Sequence, residues 1–381
     1  MNSKKKINFI KALLRPLKSK LSIIKNILLL IPIRKFNSYN SFIGQPIFAK
    51  SRGFVFWLSQ NTLFSFSIRP KHAKDLMYMP SHSNYLSTGI CIQGPIGKNN
   101  RIFLENTVLI YKKLYPKVKI VISTWENEKE NISENLQYLC DSVVINKYPE
   151  NLKPGIDNIN FQIYSTLSGL KKLNEIGCEF SIKQRTDCRF YNPNTLNMLH
   201  NFFKVFPSEH KKEINRIFSC NIGSLKYRPY CLGDIMLFGK TEKLINYFSS
   251  EEYEVSLKKL GVKDTKIPLI NNTIVTVETF LCARYLQSIG HEPNFTIEDW
   301  YNCLKKYFLI FDASQIDFFF NKKNPEFEQR AEKNYSNIDN ENLNFSDWLN
   351  SFGEEKNFWS ENYREKWTYN INDSYPKKIK R

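Results

Sequence analysis

The chain has no long hydrophobic run. Its best candidate, positions 27–33, is seven residues long and broken by Pro32, where a membrane-crossing helix needs roughly 18 to 20. The same stretch lacks a small-residue cleavage site, so a secretory leader is not expected either. No CxxC pair occurs among eight cysteines, and no His/Cys group shows the usual metal-ligand spacing. That excludes zinc-ribbon frameworks and predicts buried free thiols in a reducing compartment. No internal repeat is present, which excludes a solenoid. Acidic residues are missing from the N-terminal fifth: Asp75 is the first, after fifteen Lys or Arg.

What is there is enough for one large α/β domain with extensions, given 381 residues that are 42% hydrophobic and 14% aromatic. The net charge of +18 is local. From Asp75 onward, 40 basic residues face 37 acidic ones, so no basic groove for nucleic acid runs across the fold. At the front, Ile10, Leu13, Leu14, Leu17, Leu21, Ile24 and Leu28 form an apolar stripe, with Lys11, Arg15, Lys18, Ser22 and Lys25 off it. Pro16 splits the stripe into two helices or starts a second. A basic amphipathic segment over residues 1–35 suits an anionic membrane surface, gaining about 1 kcal/mol per basic residue. A helix packed on the body or on a partner fits the same stripe.

Residues 36–86 read as strands or loops covering the main domain. From there the pattern is that of an α/β sheet with crossover helices. Residues 88–97 form a short apolar strand that breaks at Gly94-Pro95, and 101–114 a helix. Strands follow at 117–125 and 142–146, then a helix capped by Asp157 or Asn158 and running to about Asn174. Further strands are expected at 179–187 and 230–239, and a helix from Val275 to Ile289. A polar tail from about residue 321 carries Trp348, Trp359 and Trp367 as anchors. Ligands of open α/β sheets sit beyond the carboxyl ends of the strands. The polar residues at those ends are Gln93-Gly94-Pro95, Ser123-Thr124-Trp125 and Arg185-Thr186-Asp187.

Six segments in register resemble the WavE family of lipopolysaccharide-synthesis proteins: IQGPI (92–96), YKKLYPKVKIVISTWE (111–126), NINFQIYSTLSGL (158–170), KQRTD (183–187), LGDIMLFG (232–239) and VETFLCARYL (277–286). They span roughly residues 88 to 310. The resemblance implies a nucleotide-sugar transferase of GT-A-like α/β fold, a mixed central sheet flanked by helices. It places the activity in lipopolysaccharide or capsule assembly.

Such an enzyme must neutralise a departing diphosphate. An acidic motif at a strand end commonly holds a divalent metal, Mg or Mn, for this. Here the motif is not Asp-x-Asp but Arg185-Thr186-Asp187, with Lys183 two residues earlier. Asp187 is the candidate metal ligand, Arg185 and Lys183 the phosphate contacts. Strand alternation puts all three on one face. A purely structural Arg–Asp pair fits the same residues. Gln93, Gly94 and Pro95 are expected to touch the nucleotide, with Thr124 and Trp125 beside it, Trp125 stacking on the base or packing in the core. Asn160 and Gln162 open a helix whose free N–H groups favour phosphate. Asp234 and Glu278 are the candidate bases for the acceptor hydroxyl, alongside Asp187 as the third catalytic residue. His291 is a further conceivable metal ligand.

The resulting expectation is a catalytic domain over 87–320 that binds a nucleotide-sugar donor and a lipid-linked saccharide acceptor. It would be cytoplasmic, peripheral on the inner face of the membrane, and without nucleic acid. A sugar nucleotidyltransferase, a sugar-phosphate transferase or a non-catalytic membrane scaffold remain rivals.

Overall fold

A computed structural model of the chain describes residues 70–76, 87–207, 216–259, 269–270, 273–321 and 342–352. The segment 1–35, nearly all of 36–86, Trp359 and Trp367 lie outside those residues. Among the described residues, no helix is long and apolar enough to cross a membrane.

The centre is a seven-stranded sheet in the order β10-β6-β7-β4-β1-β2-β3. β1 (Thr88–Gln93), β2 (Lys119–Trp125), β3 (Ser142–Asn146) and β4 (Phe180–Arg185) run parallel. β6 (Ile217–Cys220) pairs in parallel with β10 (Phe308–Phe311). Between the halves, β7 (Met236–Lys240) is antiparallel to both neighbours. Every residue of β1 is buried. That is why its sequence reads as a continuous apolar run rather than an alternation.

Helices cover the sheet, so the expected mixed central sheet flanked by helices is what the chain builds. α1 (Arg101–Leu114) buries Leu104, Val108, Tyr111 and Leu114, the three- and four-residue spacing of one helical face. α2 (Glu134–Leu139) is short; α3 (Ile159–Glu175) carries the chain back across β2 and β1 to enter β4. α4 (Thr195–Val205), α5 (Thr241–Phe248), α6 (Tyr253–Lys259), α7 (Val277–Ser288) and α8 (Ile297–Tyr307) follow. β5 (Cys188–Phe190) pairs with β11 (Phe318–Phe320), and β8 (Leu269–Ile270) with β9 (Thr273–Ile274).

Two local readings change. The side chains of Asp157 and Asn158 do not cap α3; both residues take left-handed backbone angles, φ 50° and 62°. The strand expected over 230–239 begins only at Met236, because residues 230–235 run along the 220–224 loop instead of the sheet. Gly233 permits this: a Cβ there would stand 2.3 Å from the carbonyl oxygen of Ile222. After 321 the expected Trp348 anchor is in place. α9 (Phe345–Asn350) docks on the body, and the buried Trp348 indole donates to the carbonyl of Phe308 at 3.0 Å.

Candidate active site at the β1–β4 switch

From β1 the chain steps to β2 and β3 on one side, then returns to place β4 on the other. Strand order therefore reverses between β1 and β4, the kind of position beyond whose carboxyl ends open α/β sheets bind ligands. Gln93 and Arg185 are register partners at that edge. Thr186 ties the two exits together. Its N–H donates to the Gln93 carbonyl at 3.1 Å, and its hydroxyl to the Pro95 carbonyl at 2.7 Å. Gly94 makes the turn at φ 115°, a conformation that side chains disfavour.

The antiparallel strand brings a third element in. β7 starts where β4 ends, with Gln184 opposite Met236, so Asp234 arrives beside the β4 exit. Its carboxylate lies 3.5 Å from the Lys183 ammonium and accepts from the Gln162 amide. Lys183 is wholly buried, also donates to the Asp234 backbone carbonyl, and lies over the Phe248 ring. Burial pulls the Lys183 pKa down, and Asp234 opposes that pull. Lys183 thus has no surface to offer a phosphate; it holds Asp234.

Arg185 and Asp187 form a two-pronged pair, Nε to Oδ1 at 3.0 Å and an Nη to Oδ2 at 2.9 Å. Both are partly exposed. Burial works against the Arg185 charge, but the hydrogen bonds and charge of Asp187 outweigh it, and the pKa stays above the usual arginine value. The guanidinium also lies 5.5 Å from the Phe320 ring centre. Glu278 stands in the first turn of α7, which Thr276 caps. Burial, then the negative charge of Asp234, raise its carboxyl above the normal range, while Arg228 partly offsets them.

The sequence matches the family described as WavE lipopolysaccharide synthesis over residues 88–350, from β1 to the end of α9. The chain belongs to the WavE family. No curated protein matches it. Among solved structures, an active-site mutant of LgtC is 12% identical with a TM-score of 0.30, covering 51% of this chain and 69% of that one. The mannosyltransferase PcManGT from Pyrobaculum calidifontis, in complex with GDP-Man and Mn2+, is 10% identical with a TM-score of 0.31, covering 63% and 60%. A 4-diphosphocytidyl-2C-methyl-D-erythritol synthase from Anaerococcus prevotii is 9% identical with a TM-score of 0.34, covering 66% and 99%. At TM-scores this low, none of these likenesses carries a function across.

In this WavE chain the remaining candidates divide. Gln93 is buried, and its side-chain oxygen accepts from the Ser165 hydroxyl at 3.0 Å. Asn160 is engaged on both sides of its amide, accepting from the Tyr253 N–H and donating to Lys153 and Glu254. It fixes the start of α6 against α3. Its own N–H donates to the Pro154 carbonyl, so it offers no free group to a phosphate. The Thr124 hydroxyl is buried without a hydrogen-bond partner. Trp125 is buried with Tyr148 stacked 4.3 Å away and Tyr164 at 5.9 Å. Those two tyrosines, both exposed, present the free aromatic surface there.

His291 does not join Asp187. It hydrogen-bonds Asp299 and Cys303 beyond the far end of α7. Glu278 opens that helix, which at 1.5 Å per residue is about 18 Å long. Arg228, whose charge acts on Glu278, had no signal in the sequence. It lies in a loop that only the fold brings over α7.

Proposed function

We propose that this WavE family member is a glycosyltransferase that moves a sugar from a nucleotide-sugar donor to a lipid-linked saccharide during assembly of lipopolysaccharide or capsule. One observation carries the reading. Asp234, in the loop before β7, acts electrostatically both on Arg185, which pairs with Asp187 at the end of β4, and on Glu278 at the start of α7. Arg185 would face a diphosphate there, and Asp234 or Glu278 an acceptor hydroxyl.

In the reaction, the acceptor hydroxyl oxygen bonds to the anomeric carbon as the bond from that carbon to the diphosphate oxygen breaks. The hydroxyl proton passes to a carboxylate. Glu278 suits this role, because a carboxyl raised above its normal pKa is a stronger base toward a weakly acidic hydroxyl. Lys183 and Gln162 hold Asp234 in place, and its charge keeps Glu278 basic. Arg185 meets the departing diphosphate with a planar fork that matches phosphate oxygens.

Asp187 gives one carboxylate, whose oxygens accept from Arg185 and Cys188 and keep a lone pair free. That fits a Mg or Mn ion shared with the donor's own phosphates, since such ions are commonly held by one or two protein carboxylates plus substrate oxygens. The ion would supply Lewis-acid charge to the leaving group. Residues 1–35 would hold the enzyme at the anionic inner face of the cytoplasmic membrane, where a lipid-linked acceptor resides.

The test is a thermal-shift and calorimetry screen of the full chain against UDP-, GDP- and CMP-sugars, with and without Mn2+. Metal-enhanced stabilisation by one donor class, reduced at least tenfold in affinity by Asp187→Ala, is expected. Release of nucleoside diphosphate on adding lipid-linked acceptor marks glycosyl transfer. Release of pyrophosphate would assign a nucleotidyltransferase instead. Equal donor binding by wild type and Asp187→Ala would remove the site.

A further inference from the structure

Beyond the sheet's switch point, three side chains of unlike chemistry close on one another between α7 and α8. Asp299 and Cys303 stand four residues apart on one face of α8, and His291 comes from the turn before it. The His291 Nε2 is 2.9 Å from Asp299 Oδ2 and 3.2 Å from Cys303 Sγ. All three atoms lie within 4.8 Å of one another. Cys303 is buried, and the other two are partly so.

Hydrogen bonding alone serves this group poorly. A neutral imidazole nitrogen either donates one proton or accepts one. If Nε2 donates to Asp299, the thiol has no acceptor there; if it accepts from the thiol, it meets the carboxylate lone pair to lone pair. A cation removes the conflict, because each atom can turn a lone pair toward it. We infer that His291, Asp299 and Cys303 form a binding site for a transition-metal dication, with zinc as the natural occupant.

Thiolate, imidazole and carboxylate are the donors zinc takes, at 2.0 to 2.3 Å, which sets ligand atoms roughly 3 to 4 Å apart. The present spacing needs only a small adjustment. On binding, the thiol proton leaves to solvent. Thiolate and carboxylate then balance the dication, so the buried assembly is neutral. A water takes the fourth tetrahedral position. The outer support is already built: the buried Tyr230 phenol donates to the same Asp299 oxygen and accepts from the Phe295 N–H at 3.3 Å. Tyr230 itself sits at φ 58°, a conformation unusual for a bulky side chain, so the surrounding fold holds it there. The site stands about one helix length from Glu278, so it is separate from any ion at Asp187.

The test uses the purified full chain. After chelation, Co2+ titration should give a tetrahedral visible spectrum and a thiolate charge-transfer band in the near ultraviolet, saturating at about one equivalent. Zinc should displace it and raise Tm. Cys303→Ser and His291→Gln should each lose the charge-transfer band or weaken Co2+ binding at least tenfold, while Asp187→Ala keeps both. A wild-type chain that shows no thiolate band overturns the proposal. So does a band that persists unchanged in Cys303→Ser.

Discussion

The Lys183 ammonium, with none of its surface exposed, sits 3.5 Å from the Asp234 carboxylate. A strand residue and a loop residue fifty-one positions apart thus share one enclosed charge pair. Removing one partner leaves the other uncompensated, at a cost of about 3 to 5 kcal/mol. Asp234→Ala should therefore lower stability by that order in urea denaturation, and Lys183→Met/Asp234→Leu should recover most of it. A single variant as stable as wild type would show that the pair is not enclosed in solution.

Glu278 titrates high because burial and Asp234 both disfavour its charged form. Neutralising Asp234 in Asp234→Asn takes away the second cause, so the Glu278 pKa should fall. The carboxyl carbon shift of Glu278, followed by NMR across pH, reads this directly. A pKa that stays put or rises in that variant would separate the two carboxylates.

His200 is buried and its pKa is lowered to about 4, first by burial and then by Lys204. Its ring meets the Thr88 hydroxyl at 2.8 Å. The unfolded chain, with a histidine near pKa 6.5, binds the proton first, so stability is full above about pH 6.5 and falls as pH drops toward 4. The loss should be roughly 2 to 3 kcal/mol. His200→Gln, which cannot titrate, should flatten that part of the stability–pH curve.

Gly233 lets the chain pass against the 220–224 loop and set Asp234 beside Lys183. A methyl at that position meets the Ile222 carbonyl at 2.3 Å and the Ser224 nitrogen at 3.0 Å. Backbone on both sides leaves little room to yield. Gly233→Ala should destabilise by more than about 2 kcal/mol, within the range of overpacking, and should weaken donor turnover by moving Asp234. Unaltered Tm and turnover would place Gly233 elsewhere.

Much of the parallel half was legible beforehand. The run ending at Gln93-Gly94, the helix over Arg101–Leu114 and the strand over Ser142–Asn146 carry local signals: continuous apolar stretches, helical spacing, a glycine break. The strand-end groups Arg185 and Asp187 followed from the rule that ligands gather at carboxyl ends. The antiparallel strand was misread at its start, because the apolar run 230–239 is buried for two different reasons. Residues 236–240 are in the sheet, and those before them pack on a loop. Asn160 carried the polar chemistry of a helix start, yet its partners come from residues up to 94 positions away.

The sequence alone determined the α/β class, the family and the set of polar residues at the strand ends, since these depend on near neighbours and repeating patterns. Only the tertiary structure decided which of those residues meet. Buried charges choose partners by distance in space, so Lys183 turned to Asp234, Arg185 to Asp187, and His291 to a cysteine and an aspartate on the next helix.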